Sequence, residues 1–239
     1  MFRNLTKRTV HQDWQSALLL FTLVAIVHFV AAFLKSQALT FVGLASFAVV
    51  SLLFVQKSNW GDINLKKPSH LLVILWGLIG AMLLVVGSYG VLHLTVGYSF
   101  ANYFVITAKS QMGYGVINKY NAWQFFPIAA IGFSTISPLT EELFFRGVLL
   151  KSLESRFSAL KANVIQGILF GLIHLAYMWV WEFTWVLLYT MVPLIALAGV
   201  LYGWVTQRTG SVFSSMLVHA FYNLLLILAV YSFIIPVVG

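Results

Sequence analysis

Long apolar stretches constrain the fold of this 239-residue chain more than any other feature. They run for about 18–25 residues with almost no charge, which is the length a helix needs to cross the hydrocarbon core of a bilayer. Hydrophobic residues make up 61% of the chain and charged residues 8%, so little of it is suited to a domain outside the membrane. We predict an all-α fold, a polytopic transmembrane helical bundle. Its spans are expected near residues 16–34, 38–55, 71–94, 123–137, 160–180, 183–205 and 211–235.

Two segments between these spans need separate interpretation. A further short helix is expected after Pro138, because proline suits the first turn of a helix and interrupts one that it enters later. The span count is therefore seven or eight, depending on how that helix is scored. The polar connection over residues 97–122 is either a re-entrant or surface helix near a substrate entrance, or an ordinary ordered loop.

The basic residues indicate how the bundle is oriented. The formal net charge is +8, and the lysines and arginines fall in short segments between apolar runs. With the N-terminus in the cytoplasm, eleven of them lie on the cytoplasmic side and three on the other, as the positive-inside rule requires. We therefore expect a multi-pass protein of the cell membrane with a cytoplasmic N-terminus. This pattern accounts for the charge without a nucleic-acid partner; the lipid bilayer is the expected surrounding.

One apolar segment carries three ionisable side chains, Glu141, Glu142 and Arg146. An ionisable group within a span costs roughly 2.5–3.5 kcal/mol even on the lenient insertion scale, and by default indicates a functional site. Glu142 and Arg146 are four residues apart, which predicts an ion pair on one helical face that makes their burial sustainable. Glu141 is rotated from Glu142 by about 100° and is left to face another partner.

Other strongly polar residues occur inside the later spans. His174 follows Gly171 and a glycine one turn earlier, a small-residue stripe that allows a neighbouring helix to approach closely. His219 and Asn223 are four residues apart and hence share a helical face. His28, in the first span, has no acidic partner nearby in sequence, and a hydrogen bond between helices explains it adequately. A hydrogen bond between helices would also explain His174, His219 or Asn223 taken alone. It does not explain why these residues occur together with Glu141, Glu142 and Arg146.

Taken together, these intramembrane glutamate, histidine and asparagine side chains support hydrolysis by either of two routes. In the first, a carboxylate and a neutral imidazole activate water, and a second imidazole with an asparagine amide donates to the oxyanion that forms at the carbonyl. In the second, one glutamate and two histidines hold a catalytic Zn²⁺. The sequence contains no cysteine, which excludes thiolate chemistry, and it shows no Ser-His-Asp arrangement, phosphate-binding loop or HExxH motif.

Three motifs in the C-terminal half resemble those of the CPBP (Abi) family of intramembrane proteases, which process CAAX proteins and bacteriocins. Their order and spacing match over about residues 123–223. The motifs are Glu141-Glu142-x-x-x-Arg146, Phe170-x-x-x-His174 and His219-x-x-x-Asn223.

The resemblance implies an intramembrane endopeptidase with its active site in the bundle interior. Glu141 and His174 would activate water, while His219 and Asn223 would stabilise the oxyanion. In the metalloprotease view of the family, Glu141, His174 and His219 would hold Zn²⁺; in the glutamate-type view no cofactor is needed. Glu142 and Arg146 would form a structural ion pair, and Phe170 supports the second motif.

The resemblance also divides the chain and suggests its substrates. Residues 123–239 are expected to form the catalytic transmembrane core, and residues 1–122 to form N-terminal helices that select the substrate. Expected substrates are a peptide pheromone, a bacteriocin precursor, a CAAX-like substrate or another membrane-associated protein. The alternatives are a non-catalytic bacteriocin-immunity or membrane binding protein that retains the fold, and a small transporter, although the inverted repeats of transporters are not apparent.

Overall fold

The computed structural model describes residues 14–34, 37–54, 64–113, 115–176 and 185–239. Helices are the only regular elements in these ranges, which confirms the all-α prediction. The α-helices are α1 (Trp14–Phe33), α2 (Gln37–Phe54), α3 (Leu71–Val96), α4 (Tyr103–Met112), α5 (Ala122–Ile131), α6 (Ser137–Glu142), α7 (Leu150–Glu154), α8 (Ala159–Ile173), α9 (Val186–Thr209), α10 (Val212–Ala229) and α11 (Ile235–Val238). Three π-helical segments join them, π1 (Gly132–Ile136), π2 (Leu143–Leu149) and π3 (Val230–Ile234).

Several of these helices have the length and composition of membrane spans. In the described part of the chain four are long and apolar enough to cross a bilayer: α1, α3, α9 and the run Val212–Val238. Val42–Leu52 and Ala159–Ile173 are shorter apolar helices. Each of the seven predicted spans overlaps a helical run, although the predicted end of the 160–180 span and the start of the 183–205 span lie outside the described residues. The chain is a polytopic helical membrane protein.

The helix that carries the two glutamates is part of a longer run. α5, π1, α6, π2 and α7 follow one another from Ala122 to Glu154 with helical backbone at every junction. Pro138 lies in the first turn of α6, as expected, and π1 immediately precedes it. Because proline has no N–H to donate, a wider π turn before it lets the helix continue without a break. The glutamates therefore belong to a continuous run rather than to a separate helix.

The 97–122 connection contains a buried helix, so of the two interpretations the structure favours the helix over the loop. Asn102 caps α4: its Oδ1 accepts from the Phe104 N–H at 3.0 Å, and its Nδ2 donates to Gly97 O at 2.7 Å. Residues Phe104–Ala108 are buried. Thr190 Oγ1 on α9 donates to Ala101 O at 3.0 Å and holds the start of this segment against the bundle.

The helices pack most closely where small residues allow it. A Cβ at Gly171 on α8 would lie 2.6 Å from Val192 O on α9, so only glycine permits this approach of the two helices. α3 packs against α9 and α10, while α1 and α2 form a pair against π2. π2 is thereby enclosed, and all of its residues are buried.

Candidate active site

Glu142 connects two helical runs through a single carboxylate oxygen. Its Oε1 lies 2.9 Å from Arg146 Nη1 and accepts a hydrogen bond from His219 Nδ1 at 2.8 Å. The side chains of Glu142 and Arg146 are fully buried, and that of His219 is 5% exposed. The predicted ion pair between Glu142 and Arg146 is present. Glu142 also contacts His219 on α10, a partner that the four-residue spacing does not reveal.

The buried guanidinium of Arg146 is stabilised by more than its carboxylate. Nη2 donates to Gly199 O on α9 at 2.9 Å. The guanidinium carbon lies 4.5 Å from the ring centre of Phe170 and 5.1 Å from that of Tyr202, within range of cation–π attraction. A buried cation requires such compensation, because desolvation otherwise exceeds the gain from pairing. Arg146 therefore holds π2 against α8 and α9.

A row of amides fixes α8 to α9 at the same level. Gln166 Nε2 donates to Gly199 O at 2.9 Å and to Asn163 Oδ1 at 2.7 Å. Asn163 Nδ2 donates to Val200 O at 3.0 Å. These buried contacts place the end of α8, where His174 lies, with respect to the rest of the site. Neither amide was predicted as part of the site. Their three-residue spacing on an apolar helix does place them on one face, where they can bond to a neighbouring helix.

His219 is held by stacking as well as by its hydrogen bond. Its ring stacks on Tyr202 with 4.6 Å between centres and meets Phe170 edge-on at 5.7 Å. Because Nδ1 donates to Glu142, the neutral ring carries a lone pair on Nε2, and Nε2 donates only when the imidazole is protonated. Tyr202, which the sequence analysis did not single out, thus orients a predicted site residue.

Glu141 is buried but leaves one oxygen unused. Its side chain accepts a hydrogen bond at Oε1 from Ser137 Oγ, one turn earlier. Oε2 is buried and has no hydrogen-bond partner within the described ranges. Ser137 therefore orients the carboxylate, and Oε2 is the oxygen that remains to accept a proton.

His174 has a defined tautomer. Nδ1 donates to Phe170 O at 2.7 Å, so the neutral ring has its lone pair on Nε2. The ring also packs edge-on against Phe170 at 4.8 Å, and Phe170 meets the His219 ring as well. The residues predicted as catalytic thus come from α6, from the end of α8 and from α10.

Asn223 makes a contact that was not expected. Its Nδ2 donates to Phe133 O in π1 at 2.7 Å. A π turn changes the backbone pairing around it, and the amide takes up one of the carbonyls there. One N–H of Asn223 is therefore committed to holding α10 against π1, and the second N–H is left for a donor role toward a substrate.

A histidine from outside the motif region packs, through Phe47, on the helical run that carries Glu141. His28 on α1 donates from Nδ1 to Val24 O at 2.9 Å, and its ring lies 4.7 Å from that of Phe47. Phe47 in turn packs on Phe144 at 5.5 Å. These contacts could not be predicted from the sequence, because they depend on how distant helices pack.

A zinc site requires its ligands to converge on one point. In the parts of the chain that the structure describes, no three histidine, aspartate or glutamate side chains are grouped so that they could hold a metal ion. The ligand set Glu141, His174 and His219 is thus not assembled in this arrangement.

These observations define an all-helical membrane protein with a buried glutamate–histidine centre. Residues 122–225 match a family model described as Rce1-like, type II CAAX prenyl endopeptidase Rce1-like. This match covers less than half of the chain, and its description agrees with the resemblance of the three motifs to CAAX-processing intramembrane proteases. No curated protein and no solved structure matches the sequence.

Proposed function

We propose that this protein is an intramembrane endopeptidase that cleaves a membrane-associated peptide or protein by using water activated by Glu141 and His174. The observation that carries this proposal is the state of Glu141: a buried carboxylate with one oxygen held by Ser137 and the other without a partner in the described chain. The neutral His174 ring carries its lone pair on Nε2. A carboxylate with an unused oxygen and a neutral imidazole are the groups that general-base catalysis requires.

The reaction follows from these groups. Glu141 Oε2 takes a proton from water while the water oxygen attacks the carbonyl carbon of the scissile peptide bond. His174 Nε2 accepts the other hydrogen of the water as a hydrogen bond and orients the nucleophile. The tetrahedral intermediate then breaks its C–N bond, and Glu141 returns the proton to the leaving nitrogen. The products are a carboxylic acid and an amine, which become a carboxylate and an ammonium when the acid proton is exchanged.

The negative charge on the intermediate needs donors. In its protonated form His219 supplies Nε2–H, while its Nδ1–H donates to Glu142. The second N–H of Asn223 is the other donor. Preorganised donors of this kind contribute about 2.7–4 kcal/mol each when one is removed from an oxyanion hole. Glu142 and Arg146 would therefore act through His219 rather than on the substrate.

We further propose a cytoplasmic N-terminus and a substrate that reaches the site from the bilayer. Lys66, Lys67 and Arg208 belong to two segments that meet at one end of the bundle, where Ser69 Oγ donates to Thr209 O at 2.8 Å and Val212 N donates to Asn64 O at 3.0 Å. This basic end is the expected cytoplasmic side. The family match supports a CAAX-like substrate, and we propose a peptide pheromone and a bacteriocin precursor as further candidates.

A cleavage assay tests the proposal directly. The purified protein in proteoliposomes would be incubated with a farnesylated CAAX peptide and with a panel of single-span precursor peptides, and the products identified by mass spectrometry. We expect cleavage of at least one peptide by the wild type and loss of cleavage in Glu141→Gln. A wild type that cleaves none of them, yet binds one of the panel peptides as tightly as Glu141→Gln does, would favour the non-catalytic binding function instead.

A further inference from the structure

A polar cavity opens at the basic end of the bundle, away from the glutamate–histidine centre. Its volume is about 280 Å³, and its walls come from the segment before α3, from α7, from the start of α8 and from the end of α9. Hydrogen bonds hold this region together: Ser211 Oγ donates to Lys66 O at 2.5 Å, and Gln207 Nε2 donates to Ala159 O at 2.9 Å. The cavity is therefore a built feature of the fold.

The charges on its walls leave an excess positive charge. Lys151 Nζ lies 3.3 Å from Glu154 Oε2, and Gln207 Nε2 donates to Glu154 Oε1 at 2.8 Å, so the one acidic side chain is already compensated. Lys66 also lines the cavity, and no carboxylate of the described residues pairs with it. Its ammonium lies beside Gly210, where a Cβ would be 3.5 Å from Nζ.

A neutral donor completes the cavity wall. Thr206 lines the cavity and is fully buried, yet its hydroxyl has no hydrogen-bond partner within the described ranges. Buried hydroxyl groups almost always have a partner, so such a group in a cavity wall points to a ligand. Three further cations, all of them exposed, lie close in sequence to the lining residues: Lys67, Lys161 and Arg208.

We propose that this cavity binds the phosphate of an anionic phospholipid headgroup. Spans α3, α9 and α10 begin or end at this level, which is the depth of the lipid phosphates when the helices cross the bilayer. Basic pockets between transmembrane helices on the cytoplasmic side suit such headgroups. The positive-inside rule explains why cations gather here, but it does not require a cavity that contains a buried, unsatisfied hydroxyl.

Lipid retention measured by native mass spectrometry tests this proposal without reference to proteolysis. The full-length protein would be titrated with phosphatidylglycerol and, separately, with phosphatidylcholine of the same acyl chains. We expect tighter binding of phosphatidylglycerol, and about fivefold weaker binding in Lys66→Gln, because one juxtamembrane cation contributes on the order of 1 kcal/mol. Thr206→Val is expected to weaken binding to a similar extent, whereas Thr206→Ser, which keeps the hydroxyl, retains it.

The control is Lys119→Gln, at the opposite end of the bundle, where the Lys119 backbone lies beside Gly239. Equal binding of the two lipids, or equal effects of Lys66→Gln and Lys119→Gln, would overturn the proposal. If Thr206→Val does not fold, the lipid binding of Lys66→Gln decides, because the Lys66 side chain is exposed. Displacement of phosphatidylglycerol by inorganic phosphate would show that the phosphate alone is recognised. If inorganic phosphate does not displace the lipid, and Lys66→Gln and Thr206→Val still bind it more weakly, the lipid headgroup is required.

Discussion

His219 Nδ1 lies 2.8 Å from Glu142 Oε1, the same oxygen that lies 2.9 Å from Arg146 Nη1. The second glutamate of the motif thus joins a structural cation to a residue of the proposed oxyanion site. It is fully buried, so its negative charge is sustained by these two partners. A change at Glu142 should consequently affect both folding and chemistry.

The first prediction concerns stability. Glu142→Gln should destabilise the protein by about 3–5 kcal/mol, because it leaves the buried Arg146 guanidinium without a counter-charge. The double variant Glu142→Gln/Arg146→Met should recover part of this loss, since no buried charge is left unpaired. Thermal unfolding in detergent would measure both. If the double variant were no more stable than Glu142→Gln, the pair would not be the source of the effect.

The second prediction separates the chemistry of His174 from its packing. In His174→Asn the shorter amide can still donate to Phe170 O, but the lone pair of Nε2 is lost. We expect peptide cleavage to fall by about 10²–10⁴-fold, the usual contribution of a positioned acid–base group. The melting temperature should stay close to that of the wild type. Retained cleavage in a folded His174→Asn protein would remove His174 from the proposed mechanism.

Much of this architecture could be predicted from the sequence, because helix length, apolar runs and four-residue spacing are local properties. They indicate the spans, the Glu142–Arg146 pair and the close approach at Gly171. The contact between Glu142 and His219 could not be predicted in this way. It depends on which faces of two distant helices meet, and a sequence periodicity does not specify the rotation of one helix relative to another.

The third prediction concerns Asn223, whose amide donates to Phe133 O in π1 at 2.7 Å. Asn223→Ala should destabilise the protein by about 1 kcal/mol, the typical value of a hydrogen bond between membrane helices. If the second N–H also stabilises the oxyanion, cleavage should fall by about 10²-fold or more. Asn223→Ser gives an informative comparison, because its hydroxyl is too short to replace both contacts. A loss of stability without a loss of kcat would restrict Asn223 to a structural role.

The fourth prediction concerns zinc. Since no three-residue ligand set is assembled in the described part of the chain, we expect less than one equivalent of zinc in purified protein. Cleavage should persist after treatment with a strong chelator and dialysis. Elemental analysis combined with the cleavage assay checks both statements. One equivalent of zinc that is lost in Glu141→Gln, together with lost cleavage, would establish the metal route instead.

The last prediction extends the site into the half of the chain that lies outside the family match. A Cβ at Gly43 would lie 3.3 Å from three atoms of the His28 ring, so α2 provides a close-fitting position for this imidazole. Phe47 packs on His28 and also on Phe144 and Phe145, which follow Glu141 by three and four residues on the same helical run.

We expect His28→Phe to lower kcat by about tenfold or more, because a polar group that packs through Phe47 on the helical run of Glu141 is replaced by an apolar ring of similar size. His93→Phe is the matched control: it is also a histidine inside an apolar span, but it packs on Tyr89 and Tyr98. Steady-state cleavage by both variants, at equal folded concentration, provides the comparison. If the two variants gave the same kcat, α1 would serve to cover the bundle and would make no contribution to its centre.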